Sequence, residues 1–347
     1  MSADFERFLL SSEQDRRDAF GEVASRLKAL PDYIEKDFWI CVVLDILFNK
    51  LPDGHPRLLF KGGTSLSKAF NLIKRFSEDV DLVVYREDLG FDEEHDPTAP
   101  KEKGLSNSKR KALFKKLNEA CENYIRKDLA DALNQIIGEQ CQIVPDDRDP
   151  DRQSLLIKYP TLYANDDASY VSPQVKLEGG ARSALDPNIT AAIKPYVAEE
   201  LGDDWSLTVP NIRVIKPHRT CLDKLIILHG IHCGYRDQGR MLEEGSRVAR
   251  HYYDMAMLTG TEIGKTALVD HELLKDVRKH SAVAFRQAWK KLHEAVPGSV
   301  CIYPQDGLLA VLEADYKAMQ HMIFGDVPEF KWILEQIRIA EDIVNRR

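Results

Sequence analysis

Apolar residues recur at helical spacing through the first fifty positions and predict helices over 5–30 and 33–50. In the second, Phe38, Val42, Leu44, Ile46 and Phe48 keep one stripe. Pro52 and Gly54 end it. The short apolar run at 57–61 reads as a buried strand, Gly62-Gly63 as a turn, and Leu66, Ala69, Phe70 and Ile73, at i, i+3, i+4 and i+7, as a core-facing helix reaching Phe76. Residues 78–85 form the next strand. An acidic, Pro- and Gly-punctuated excursion follows at 86–104, then a long helical pattern at 107–137 and strands at 139–144, 154–160 and 171–179. The polar run 146–152 reads as a hairpin tip. Pro187, Pro195, Glu199-Glu200 and Asp203-Asp204 mark a loop-rich stretch, and from 220 onward the pattern is helical, near 220–232, 240–259, 269–280, 281–294, 306–323 and 328–346. The expected organisation is α/β (α+β). A mixed-sheet domain occupies 1–215, with a helical N-terminus and an inserted helix within 105–137, and a mainly helical lobe follows over 216–347.

Composition narrows the function without naming it. The 347 residues suffice for two cores, and 44% hydrophobic with 30% charged residues fits an ordinary soluble protein. The N-terminus lacks a signal-peptide pattern and no apolar run is long enough to span a bilayer, so a cytoplasmic protein without membrane association is expected. Six scattered cysteines, without a Cys-x-x-Cys pair, read as reduced thiols. A net charge of −8 excludes indiscriminate coating of nucleic acid, so any such contact must be local. Lys101, Lys103, Lys109, Arg110, Lys111, Lys115 and Lys116 face only Glu102 in the run 101–116, which is read first as a solvated face and second as a nucleic-acid contact.

The chemistry concentrates in residues 60–84. Gly62 and Gly63 allow close approach of backbone to phosphate oxygens, and Thr64 and Ser65 add hydroxyls where a helix begins. Thirteen residues separate Ser65 from Asp79. On the strand that follows, Asp79 and Asp81 project from one side while Val80 and Leu82 enter the core. A Gly-Gly-Thr-Ser turn alone is usually a strand-to-helix corner, and an Asp-x-Asp alone is usually solvated. Together they predict a bound nucleoside triphosphate with a divalent cation, Mg2+ or Mn2+, on Asp79 and Asp81. Ser77 directly precedes Glu78-Asp79, so a phosphate there should silence the site, an expectation that a fully active Ser77→Asp variant would refute.

These residues, with Glu35-Lys36-Asp37-Phe38-Trp39, Phe60-Lys61-Gly62-Gly63-Thr64-Ser65-Leu66 and Arg75-Phe76-Ser77-Glu78-Asp79-Val80-Asp81-Leu82, resemble the AbiEii/AbiGii toxin family of the DNA polymerase β-like superfamily, similar to MenT-type toxins. Weaker likeness continues through Lys176-Leu177-Glu178, Asp223-Lys224-Leu225 and Arg250-His251-Tyr252-Tyr253-Asp254, so it spans roughly 30–260. The resemblance implies a polymerase β-like nucleotidyltransferase core and nucleotide contacts from Lys61, Asp223, Lys224, Arg250 and Asp254. It also implies a toxin of a toxin–antitoxin or phage-defence pair, with tRNA or other RNA as acceptor and a cognate antitoxin as partner.

The remaining candidates stay open on their residues alone. Glu178 is the chosen third carboxylate, and Lys176, on the same strand face, would hold phosphate; the competing reading is an exposed ion pair. Arg182 offers a guanidinium for phosphate. Lys224 begins an apolar helix, where a charge is not expected to enter the core. Arg247, Arg250, His251 and Asp254 form one polar helical face, either a cleft wall or a solvated face with an Arg250–Asp254 pair. His229, His232 and Cys233 read as packing rather than half a zinc site. Ser65-x-x-Lys68 formally matches the serine-lysine motif of penicillin-recognising enzymes without its partner motifs. The predicted reaction transfers a nucleoside monophosphate from an NTP to an acceptor hydroxyl. The alternatives are nucleotidylation of a small molecule such as an antibiotic, AMPylation of protein, or nucleotide binding without turnover.

Overall fold

The computed structural model describes residues 2–92, 94–99, 105–163, 171–202, 207–243 and 245–346. It divides into two compact units, one made of Met1–Ala69 with Phe76–Ile215 and the other of Phe70–Arg75 with Lys216–Arg347. The chain therefore leaves the first unit briefly just before the predicted metal strand.

The first unit opens with α1 (Ala3–Leu10), α2 (Glu13–Leu27) and α3 (Pro31–Asn49). The single helix expected over 5–30 breaks at Ser11-Ser12, where the Ser12 hydroxyl caps α2 by accepting from the Asp15 amide at 3.1 Å. After β1 (Leu58–Lys61), helix α4 (Gly62–Lys68) is shorter than the apolar spacing suggested. Asn71 adopts a left-handed φ of 49°, and the residues that follow are drawn into the second unit. Of the four residues of the stripe, Leu66 and Ile73 are buried and Ala69 and Phe70 half-buried, so the helical period at 66–76 described burial in part and the backbone only as far as Lys68.

Strand β2 (Asp79–Val84) precedes α5 (Asn107–Asn123), a π-helical turn at Tyr124–Leu129 and α6 (Ala130–Ile137), so the helix expected at 107–137 is interrupted. β3 (Gln142–Pro145), β4 (Ser154–Lys158) and β5 (Gln174–Glu178) follow. The stretch read as loop-rich instead holds β6 (Asn188–Ile193) and α7 (Tyr196–Leu201), and β7 (Val209–Ile215) comes after it. The prolines flank these elements. Pro187 precedes β6, and Pro195 sits at the N-cap of α7. Asp203 and Asp204 lie outside the described residues.

The seven strands form one mixed sheet ordered β3-β4-β5-β2-β1-β7-β6. β2 lies antiparallel to β1 and parallel to β5, with Lys61 opposite Asp81, Asp79 beside Lys176, and Asp81 beside Glu178. Those five polar residues consequently share one sheet face. Val80 and Leu82 are buried.

The second unit is helical: α8 (Pro217–Gln238), α9 (Ala249–Thr259), α10 (Glu262–Val269), α11 (His271–Ala284), α12 (Asp306–Met319) and α13 (Phe330–Asn345). Left-handed Gly239 ends α8, and α9 starts nine residues later than 240. No break falls between 280 and 281, which α11 spans, and Asp270, between α10 and α11, caps α11 with its side chain. The segment Phe70–Arg75 joins this unit through the Phe324 amide, which donates to the Lys74 carbonyl at 2.8 Å, and a bridge between Arg75 and Ile323.

Candidate active site

Gly62 leaves β1 with a φ of 83°, and a Cβ built there would stand 1.9 Å from Asp81 Oδ2. The backbone of the turn therefore presses directly on the carboxylate of the neighbouring strand, which only glycine permits. Lys61 Nζ stands 3.7 Å from Asp81 Oδ1. Asp79 and Asp81 are both half-buried on the same face.

The two hydroxyls expected to face phosphate are committed elsewhere. Thr64, buried, donates from Oγ1 to the Asp79 carbonyl, with the Ser77 carbonyl farther off at 3.4 Å, and Ser65, also buried, donates from Oγ to the Gly62 carbonyl at 2.8 Å. Buried hydroxyls must find an acceptor, and the start of β2 supplies one. Thr64 thereby ties the turn to the aspartate strand. What remains for an anion is the backbone of Gly62-Gly63.

Helix α3 supports this arrangement with three consecutive buried charges. Glu35 accepts from Thr161 Oγ1 and, at 2.7 Å, from the Leu162 amide; burial raises its carboxyl above the ordinary value in spite of both bonds. Lys36 Nζ lies 3.1 Å from Glu78 Oε2, next to Asp79. Asp37 takes the Tyr196 amide at 2.6 Å and Lys68 Nζ at 3.0 Å. Burial alone would depress the Lys68 ammonium, but Asp37 outweighs it and holds the group above its ordinary value. Lys68 also lies over the Tyr196 ring at 3.5 Å, so it is a structural cation at the end of α4. These roles were missed in the sequence; the available signal was three consecutive charges in a helix whose other central residues are almost all apolar.

On β5, Lys176 Nζ contacts Glu178 Oε1 at 2.6 Å and faces Asp146 Oδ2 at 3.6 Å. Burial works against the Lys176 ammonium, yet the Glu178 hydrogen bond and nearby carboxylates hold it above its ordinary value. Among the described residues no group of three or more His, Cys, Asp or Glu side chains converges as a metal site. Glu178 lies beside Asp81 in the parallel register and on the same face as Asp79, with its carboxylate engaged by the lysine of its own strand. Arg182 donates from Nε to Asn118 Oδ1 at 2.9 Å and lies over the Phe114 ring, which anchors it on α5.

In the second unit, Lys224 and Asp254 meet in the interior. Asp254, fully buried, binds Arg75 through two bonds of 2.7 and 2.8 Å and Lys224 Nζ at 2.7 Å. Lys224 enters the core, contrary to expectation, because Asp254 neutralises it there, and Asp254 pairs with these cations rather than with Arg250. Burial would raise the Asp254 carboxyl, but Arg75 and Lys224 reverse this and hold it well below the carboxylate range. Burial, with Lys224 and Arg250, depresses His251 far below its usual value. Asp223 and Arg250 are half-buried, and Arg247 is exposed. His229 and His232 are held by backbone: His229 Nδ1 accepts from the Cys301 amide at 3.2 Å, and His232 Nδ1 donates to the Tyr303 carbonyl at 2.8 Å.

The basic run divides. Arg110 is buried and donates to the carbonyls of Pro97 and Ala99, both at 2.6 Å, whereas Lys109, Lys111, Lys115 and Lys116 are exposed on α5. Lys101 and Lys103 lie outside the described residues.

A glycine turn pressed against one of two aspartates that share a face of a mixed sheet is an arrangement suited to a nucleotidyltransferase. A family model described as the nucleotidyl transferase AbiEii toxin of a Type IV toxin–antitoxin system matches residues 45–336, and the chain belongs to that family. Among solved structures it is similar to MenT4, a nucleotidyltransferase toxin from Mycobacterium tuberculosis H37Rv, at 15% identity over 94% of this chain and 89% of that one, with a TM-score of 0.50. That likeness is one of fold. No curated protein matches the chain. No helix among the described residues is long and apolar enough to cross a membrane.

Proposed function

We propose that this toxin transfers a nucleoside monophosphate from an NTP to a hydroxyl of RNA, with tRNA the first acceptor to test and a cognate antitoxin as its partner. The observation that carries the reading is the apposition of the Gly62 backbone to Asp81, with Asp79 on the same face. Two carboxylates with only glycine between them and a triphosphate suit a hard divalent cation, magnesium or manganese, held by Asp79 and Asp81. When bound there, it would neutralise charge on the transferring phosphoryl group. The chain's own residues bind and orient. The Gly62-Gly63 backbone faces the triphosphate, and Lys61 and Lys176 bring cations to that face. Arg182 is assigned a supporting role toward the nucleotide; for Asp223, Lys224, Arg250 and Asp254 of the second unit, nucleotide contact rests on the family resemblance alone, and Lys224 and Asp254 hold each other in that unit's interior. Glu178 is assigned as the base toward the incoming hydroxyl. The four exposed lysines of α5 support an RNA acceptor.

The test is incubation with each labelled NTP, magnesium and total RNA. Label should enter RNA with wild type and fall at least about a hundredfold with Asp79→Ala. Label in RNA that survives the substitution overturns the site. Label in protein, or in a small molecule instead of RNA, overturns the acceptor.

A further inference from the structure

Asp146 sits where β3 turns toward β4, and its side chain is only 4% exposed. A carboxylate so far from water is costly unless donors and cations compensate it. Oδ1 accepts from the Arg148 amide at 3.1 Å and from Arg148 Nε at 3.3 Å, but that arginine is 80% exposed. Oδ2 faces inward toward Lys176 Nζ, 3.6 Å away.

We infer that Asp146 is a positioning residue for nucleotidyl transfer, which fixes the Lys176 ammonium beside Asp79. The inference rests on the reading of Lys176 and Asp79 as parts of the active site. Without Asp146, Lys176 keeps its contact with Glu178, two residues along its own strand, and the charge of Asp79 on the neighbouring strand, and its long side chain can swing between them. With Asp146 it is held from a third element. The Asp146 amide donates to the Ser154 carbonyl at 3.0 Å, and Ser154 is the register partner of Glu178. The tip is itself clamped. Arg126 holds Asp147 at 2.7 Å, Arg152 holds Glu122 at 2.6 Å, and Gln153 Nε2 donates to the Asn118 carbonyl at 3.3 Å. Asn118 also holds Arg182, so α5, the hairpin tip and the turn after β5 form one brace around Lys176. A cation displaced by about 1 Å from a reacting phosphate costs on the order of a hundredfold in rate, so such a brace has a kinetic consequence.

The experiment measures kcat and KM for NTP with the full chain carrying Asp146→Asn, Lys176→Met, both together, and Asp151→Asn, an exposed carboxylate of the same tip outside the brace. Asp146→Asn should lower kcat/KM about tenfold in the wild-type background and change nothing further once Lys176 is Met. Asp151→Asn should behave as wild type. Asp146→Glu, which keeps the charge, should recover part of the loss and reads the same coupling if the asparagine variant is insoluble. An equal loss in both backgrounds, or wild-type kinetics for Asp146→Asn, overturns the proposal. Full activity of Lys176→Met with a dead Asp79→Ala removes its premise, whereas an active Asp79→Ala refutes the site itself.

Discussion

At Gly62 a single hydrogen atom separates a working turn from a collision. Any β-carbon would meet the Asp81 carboxylate, and the φ of 83° is costly for other residues. Gly62→Ala should therefore lose about 1–3 kcal/mol of stability and, because Asp81 must move, nucleotidyl transfer should fall about a hundredfold. Denaturant melts and a labelled-NTP assay check the two parts. The paired aspartates were legible in sequence because strand alternation is local. The destinations of the Thr64 and Ser65 hydroxyls were not, since a nearby carbonyl claims each one. Asp146 was placed correctly at a hairpin tip, but its approach to Lys176 depends on strand order, which no local pattern encodes.

At the scale of elements, α3 acts as a rack on which three loose parts are hung: the loop at 161–162, the start of β2, and the end of α4. Lys36 is 3% exposed, and its loss would leave Glu78 half-buried without that cation. Lys36→Met should destabilise the chain by about 1–3 kcal/mol and lower activity through Asp79, seen as a reduced urea midpoint and a reduced kcat. The strands near the site were readable from alternation. β6 was not, because as an edge strand it is only partly buried and is flanked by prolines that signal loop. The short α4 was also hidden. Its apolar spacing is helical, but Asn71 turns left-handed and Phe70–Arg75 belong to the second unit.

At the scale of the molecule, the buried Asp254 with Arg75 and Lys224 concentrates charge where burial is dear. Its folded-state carboxyl lies below its unfolded value near 3.9, so its contribution to stability is complete above about pH 4 and disappears as pH falls through the folded value. Stability measured by urea from pH 5 downward should drop with falling pH. Asp254→Asn should lose about 3–5 kcal/mol near neutrality and show a flatter acid limb. Six residues, Phe70–Arg75, belong to the second unit though the first unit's chain surrounds them in sequence. This makes the toxin a natural candidate for splitting. Co-expressed fragments 1–215 and 216–347 should find each other without a linker, because one carries the Arg75 key and the other the Asp254 lock. Co-purification that disappears with Arg75→Ala is the expected result, and such a pair would rebuild the buried Arg75–Asp254–Lys224 cluster from two separately made chains.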